Sequence, residues 1–150
     1  MAFGFDNKVD CALVNGGSIR IDDQLKGDIT GVDFFRVLPY GGGVLKVKLK
    51  GSLLTKVLKY GKLKAGSGAY LQRYNADFDI KANQWLISGK PIKATKIYTV
   101  AFSDFLLKGF DIPFLKPSNK EIINIYTPKP EELNSDIRKG IIAYLNSLKK

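Results

Sequence analysis

The chain of 150 residues contains no histidine and a single cysteine, Cys11. Without histidine there is no Ser-His or Cys-His nucleophile pair and no metal site with imidazole ligands. With one cysteine there is no disulfide within the chain, and the apolar neighbours of Cys11 favour a small buried side chain. The acidic residues are few and scattered. We therefore expect no catalytic residue and no metal site in this chain.

Two further absences concern membranes and targeting. No segment approaches the ~20 apolar residues of a bilayer-spanning helix, so we expect no membrane span. The first five residues are too short and uncharged to form a signal peptide, so we expect this chain to carry no signal. Its length and its 45% hydrophobic content suit one domain with a core of its own, over residues 1–150.

The charge balance is basic, with 24 Lys and Arg against 14 Asp and Glu, a net charge of +10. Such a surface attracts anions in general, including phosphates and nucleic acids. In the segment from Leu45 to Lys50, apolar residues alternate with lysines, which is typical of a strand with one solvated face. This strand lacks the interleaved aromatic residues on which a single-strand binder stacks bases. A non-enzymatic nucleic-acid-binding domain stays open as an alternative, but we do not expect nucleic acid to be the partner.

The hydrophobic pattern predicts a mixture of strands and helices without a strict βαβ rhythm, hence an α+β fold with a mixed sheet. Strands are predicted at 9–15, 45–50, 70–80, 85–88, 96–102 and 122–126. Helices are predicted after Thr30, after Gly51, at 103–109 and at the C-terminus, where Ile137, Ile141, Ile142, Leu145 and Leu148 share one face.

Residues 15–20 read Asn-Gly-Gly-Ser-Ile-Arg and follow the first predicted strand. The glycines allow a ligand close to the backbone, exposed amides in such a turn can bind an anion, and Arg20 could reach a phosphate with two hydrogen bonds. The same pattern is also typical of an ordinary turn that carries a surface arginine.

Two other segments place aromatic rings beside flexible or polar residues. In Pro39-Tyr40-Gly41-Gly42-Gly43, the glycines leave the ring of Tyr40 uncovered, so that it could stack on a base. Between Asp104 and Asp111, Phe105 offers a second ring and Asp111 a carboxylate that accepts hydrogen bonds from sugar hydroxyls. Each segment, taken alone, fits a turn or short helix whose aromatic residue packs on the core.

Taken in order, these segments resemble a known family. The succession of Asn15–Arg20, Gly27–Thr30, Val37–Gly41, Val47–Gly51, Gly68–Gln72 and Tyr98–Ala101 is similar to the C-terminal domain of the 5′-nucleotidase family, which includes UDP-sugar hydrolases and 2′,3′-cyclic phosphodiesterases. The similarity runs from about Val9 to Asp111. The resemblance implies a substrate-binding domain in which Asn15 and Gly17 contact the ligand near phosphate and ribose and Arg20 binds the phosphate. Tyr40 and Phe105 would sandwich the base, and Asp111 would hold the ribose hydroxyls.

The resemblance also implies a partner domain and a setting. In the family, an N-terminal metallophosphatase domain with two divalent metal ions (Zn, Mn or Mg) hydrolyses nucleotides to nucleoside and phosphate, in nucleotide catabolism. We expect that domain to be absent from this chain. The implied parent enzyme is periplasmic, secreted or at the cell surface.

The chain departs from the family pattern in three places. Tyr40 stands where phenylalanine is usual, the segment Gly109–Ile112 replaces Gly-Gly-Asp-Gly with bulkier residues, and residues 1–14 contain no arginine. These departures keep open a second alternative, a domain that retains the fold without ligand function.

Overall fold

The computed structural model describes residues 9–148, which form eight strands and three α-helices. The strands are β1 (Cys11–Asn15), β2 (Val44–Lys50), β3 (Leu71–Tyr74), β4 (Ala76–Asp79), β5 (Gln84–Ile87), β6 (Lys90–Pro91), β7 (Ile97–Ser103) and β8 (Ile122–Tyr126). The helices are α1 (Gly31–Val37), α2 (Gly51–Leu63) and α3 (Ile137–Leu148), with short 3-10 helices at Gly16–Ser18, Asp104–Lys108 and Leu133–Ser135.

The main sheet has the strand order β3-β1-β7-β2-β8. Its central pair, β1 and β7, is parallel, and all its other pairs are antiparallel. The predicted α+β class with a mixed sheet is therefore confirmed. Because β1 and β7 run in the same direction, both end at the same edge of the sheet, where the antiparallel β2 begins.

Side chains alternate between the two faces of this sheet, as the period of a strand requires. On one face, Leu13, Val47 and Phe102 join a large core that the apolar side of α2 covers. On the other face, Ala12 and Ala101 pack with Leu38, at the end of α1, and Ile137, at the start of α3. The sheet is thus covered by helices on both faces, and the predicted alternation in β2 is confirmed.

The predicted strand at 70–80 is wrong in one respect, because it is two strands. Asn75 lies between β3 and β4 with φ of 56°, in the left-handed region, which interrupts an extended chain. Its side-chain amide donates to the Asp10 carbonyl at 2.6 Å and to Ser88 Oγ at 2.7 Å, and these bonds hold the bend. The chain then leaves the main sheet for a smaller one of order β4-β5-β6.

The C-terminal helix covers less of the core than its pattern predicts. Ile137 is buried, Ile141 is partly buried against the second core, and Leu148 is 60% exposed. Burial along the helix is therefore greatest in its first turn and least at its C-terminal end.

Cys11 lies in the centre of the main sheet and is fully buried. Burial, with a smaller contribution from the charge of Asp10, raises the pKa of its thiol to about 12. The thiol is accordingly a core side chain, as the sequence predicts. In the described part of the chain, no helix has both the length and the apolar character needed to cross a membrane.

Candidate functional site

A pocket of about 450 Å³ opens at the edge of the sheet where β1 and β7 end. Four segments that are distant in sequence converge there, because they follow β1, follow α1, precede β3 and follow β7. The pocket is lined by Asn15, Gly17, Ser18, Tyr40, Gly41, Gly42, Gly68, Ser103, Asp104, Phe105, Lys108 and Asp111. Five of the six sequence-predicted site residues are among them, and the sixth, Arg20, lies beside the pocket.

Asn15 links two of these segments at the inner end of the pocket. Its side chain is almost completely buried, and Nδ2 donates to Asp111 Oδ2 at 2.9 Å while Oδ1 accepts from Ser18 Oγ at 2.5 Å. The bulky residues around Asp111 have therefore not displaced this carboxylate from the site. Since Asp111 Oδ1 is not needed for the Asn15 bond, the carboxylate keeps acceptor capacity toward the pocket.

The glycine turn after β1 differs from its predicted role. The amides of Gly16 and Gly17 donate to the carbonyls of Tyr70 and Gly68, at 2.7 and 2.8 Å, so these two amides are not free to bind an anion. The glycines serve a close approach of two backbones instead. A Cβ on Gly17 would lie 3.2 Å from Gly68 Cα, which is tighter than ordinary packing.

Tyr40 stands on the loop between α1 and β2, and its side chain is 73% exposed. The loop follows α1. In the first turn of that helix, the Asp33 carboxylate accepts hydrogen bonds from the backbone amide and the hydroxyl of Thr30, both at 2.8 Å, and these bonds lower the pKa of the carboxyl group. After Tyr40, Gly41 and Gly42 have φ of 59° and 93°, a conformation that favours glycine. The sequence Pro-Tyr-Gly-Gly-Gly thus folds into a turn that leaves the ring uncovered, as predicted.

Arg20 lies outside the pocket lining but next to the ring of Tyr40. Its guanidinium carbon is 5.8 Å from the ring centroid, and its backbone amide donates to the Val37 carbonyl at 2.9 Å. The side chain is exposed and has the length to turn toward a ligand anchored at Tyr40.

Phe105 faces the same pocket from the 3-10 helix that follows β7. This helix ends at Gly109, whose φ is 76°, as the sequence predicts. The Phe105 ring is partly buried and lies 5.9 Å from the exposed ring of Phe110, with a tilt of 38°. The two aromatic residues singled out from the sequence, Tyr40 and Phe105, therefore line one pocket from separate segments.

Sequence reasoning missed several lining residues. Ser103 and Asp104 lie at the end of β7, and their place beside Asn15 depends on the parallel pairing of β7 with β1. Lys108 lies between the two predicted positions Phe105 and Asp111, on the same short helix as Phe105. Gly68 belongs to the segment Gly68–Gln72 that carries the family resemblance, but its place in the lining depends on the pairing of β1 with β3.

The residues present do not fit a metal centre. Within residues 9–148, no three His, Cys, Asp or Glu side chains are grouped so that they could hold a metal ion. The arrangement can bind and orient a ligand through rings, an amide, carboxylates and cations.

A second groove lies between α2 and the β4–β5 hairpin and has a volume of about 530 Å³. Lys62 Nζ lies 3.5 Å from the centroid of Phe78, and Phe78 packs on Trp85 with 5.1 Å between ring centroids. The sequence offers no prediction for this groove.

The fold and the first pocket define a mixed α+β domain with one aromatic- and glycine-lined cleft at the ends of its parallel strands. The family model described as "5′-nucleotidase, C-terminal domain" matches residues 1–117, and the chain belongs to this family. The predicted resemblance is confirmed.

Named relatives agree with this assignment. The 5′-nucleotidase of Rattus norvegicus is 32% identical over an alignment of 127 residues, which covers 71% of this chain and 22% of the relative. Protein UshA of Escherichia coli (strain K12) is 33% identical over 106 residues, covering 68% of this chain and 19% of the relative. The chain thus spans about a fifth of the length of these relatives.

Solved structures show the same fold. The 5′-nucleotidase precursor of Thermus thermophilus superposes with a TM-score of 0.72 and 24% identity, over 94% of this chain and 29% of that one. The NAD nucleotidase of Haemophilus influenzae superposes with a TM-score of 0.68 and 20% identity, over 93% of this chain and 27% of that one.

Proposed function

We propose that this domain binds the nucleotide substrate of a 5′-nucleotidase-type phosphoric ester hydrolase. The observation that carries the proposal is the convergence of Tyr40, Phe105 and the Asn15–Asp111 pair on one pocket. Family membership supports it, because the matched model is the C-terminal domain of 5′-nucleotidases. The parent enzyme hydrolyses nucleotides to nucleoside and phosphate, and this chain supplies recognition.

The residue roles follow from the chemistry of each side chain. Tyr40 and Phe105 hold the base between them, and base–aromatic stacking is worth about 1–3 kcal/mol per base. Asp111, oriented by Asn15, accepts hydrogen bonds from the ribose hydroxyls, and Asn15 and Gly17, which line the pocket, contact the ligand near its ribose and phosphate. Arg20 turns from the edge of Tyr40 to the phosphate, where a charged hydrogen bond is worth about 1.5–3 kcal/mol.

The chemistry of hydrolysis belongs to a separate N-terminal metallophosphatase domain with two divalent ions, Zn, Mn or Mg. Described residues of this chain offer no ligand cluster for them. The task of this domain is to hold the nucleotide so that its phosphate reaches that centre. The parent enzyme is periplasmic, secreted or at the cell surface, a proposal that rests on the family resemblance.

The first test is the change Arg20→Ala, read by calorimetry with AMP and with adenosine. The loss of a charge-assisted phosphate contact should weaken AMP about 10- to 150-fold and leave adenosine within about twofold. Arg36→Ala is the matched control, since Arg36 is an exposed arginine whose 3.7 Å ion pair with Asp33 is also outside the pocket. Equal losses for AMP and adenosine would remove Arg20 from the phosphate site.

Two further measurements separate the alternatives. Binding of a single-stranded oligonucleotide with a steep salt dependence, and no response to AMP, would favour a nucleic-acid-binding domain. The absence of any nucleotide-dependent shift in melting temperature would favour a fold without ligand function.

Turnover of AMP or UDP-glucose by this chain with added Mn²⁺ or Zn²⁺ would contradict the proposed division between recognition and hydrolysis.

A further inference from the structure

The helix α3 begins at residue 137, beyond residue 117 where the family match ends, yet its first turn contacts the Tyr40 loop. The Ile137 amide donates to the Gly42 carbonyl at 2.9 Å. The Arg138 guanidinium packs on the adjacent glycine, since a Cβ on Gly41 would lie only 2.8 Å from Arg138 Cζ. The loop and the helix are thus in direct contact through both backbone and side chain.

Arg138 is itself held on two sides. Asp136 accepts from Arg138 Nε at 3.0 Å and from Nη2 at 2.6 Å, a two-pronged pair in which both side chains are largely buried. The guanidinium also lies over the ring of Phe35, on α1, with 4.2 Å from Cζ to the centroid. The hydrogen bonds from Arg138 lower the pKa of Asp136, so the pair stays charged at neutral pH.

The Tyr40 loop benefits from such support because its two central glycines have a left-handed backbone. Gly41 and Gly42 both have positive φ, and glycine loses the most conformational freedom when it is ordered. The Gly41 amide donates to the Leu38 carbonyl at 3.2 Å, and at Gly43 the amide donates to Asp104 Oδ2 at 3.3 Å while the carbonyl accepts from the Asp104 amide at 2.9 Å, so the Asp104 bonds hold only the end of the loop next to β2. The ring of Tyr40 is exposed, so its direction depends on the backbone beneath it.

We propose that Arg138, fixed by Asp136 and Phe35, is a positioning residue that orders the loop 39–43 so that Tyr40 meets the base of a bound nucleotide. The part of this inference that concerns ligand binding rests on the proposed function. The position of the loop itself can be measured without a ligand.

The test compares Arg138→Ala and Arg138→Lys in the full chain. AMP is the probe, and ribose 5-phosphate is the matched ligand without a base. Arg138→Ala should weaken AMP about tenfold, within the value of one stacking contact, and leave ribose 5-phosphate within about twofold. Arg138→Lys should weaken AMP binding as much as Arg138→Ala does, because a lysine ammonium cannot form the two parallel hydrogen bonds that the planar guanidinium donates to Asp136. Lys139→Ala is the control, since Lys139 is an exposed cation at the next position.

Amide hydrogen exchange at Gly41 and Gly43 is the second readout, and it should accelerate in Arg138→Ala but not in Lys139→Ala. Unchanged exchange at both glycines would overturn the inference, and so would equal losses for AMP and ribose 5-phosphate. If the unaltered chain does not bind AMP, the proposed function fails, and exchange alone decides whether Arg138 positions the loop. If Arg138→Ala does not fold, Asp136→Asn releases the guanidinium and should accelerate exchange at the same two amides.

Discussion

Two cavities of this domain, the pocket at the strand ends and the groove beside α2, differ in how their side chains are arranged more than in size. The groove beside α2 is the larger, at about 530 Å³ against about 450 Å³. In the groove, the ammonium of Lys62 lies on the face of the Phe78 ring, and Trp85 is only 5% exposed, so neither ring offers a free surface to a ligand. In the pocket, Tyr40 is uncovered, and Asn15 and Asp111 are fixed to each other by a hydrogen bond. A ligand needs free surfaces and oriented polar groups, and of these two cavities the pocket at the strand ends is the one that combines them.

The largest effect that we expect is a loss of stability when a buried residue of the groove is replaced. Trp85→Ala removes a buried ring from the wall of the groove and should lower the free energy of unfolding by about 3–5 kcal/mol, measured in urea. The AMP affinity of the folded protein should stay within about twofold, because Trp85 does not line the pocket. Trp85→Phe is the control and should cost less. A large loss of AMP affinity in the folded protein would mean that the two cavities are coupled.

A smaller effect is expected at the pocket. Tyr40→Ala should weaken AMP by about 1–3 kcal/mol through lost stacking, with little change in stability because the ring is exposed. Tyr40→Phe keeps the ring and should bind AMP within about twofold of the unaltered chain. Calorimetry on the three proteins checks both statements. If the alanine variant bound AMP normally, Tyr40 would have no part in the site.

The smallest effect is expected in the groove. Lys62→Ala removes an ammonium from the face of Phe78 and should cost about 0.5–1 kcal/mol of stability, the usual value of an exposed cation–π pair. It should leave AMP binding unchanged, as should Lys64→Ala, which removes the cation over Tyr60. Weaker AMP binding in Lys62→Ala alone would make the groove part of a nucleotide site and contradict the contrast drawn above.

The sequence predicts this fold well where the signal is local. The alternation in β2, the start of α1 after Thr30 and the end of a short helix at Gly109 each reflect neighbouring residues. The candidate site could be predicted for the same reason, since its rings and glycines form short motifs. That these motifs line one pocket follows from the parallel pairing of β1 and β7, which no single motif encodes.

Contacts between distant segments could not be predicted. The hydrogen bonds of Gly16 and Gly17 depend on the loop before β3, so the amides that looked free in the sequence are occupied. The bend at Asn75 depends on a carbonyl at Asp10, and the support of Gly41 depends on Arg138. In each case the local pattern permits several arrangements, and tertiary packing selects one.

The approach of Gly17 to Gly68 has a consequence for the dimensions of the cleft. Because the two backbones touch, one rim of the opening is set by main-chain van der Waals radii and not by any side chain. The width of the mouth is therefore tied to the alignment of β1 with β3, in which Asn15 lies opposite Leu71. Even an alanine at either glycine would push the two backbones apart, because its Cβ would lie 3.2 or 3.3 Å from the Cα of the other glycine. The substitution would widen the opening of the pocket and leave every side chain that faces the ligand unchanged.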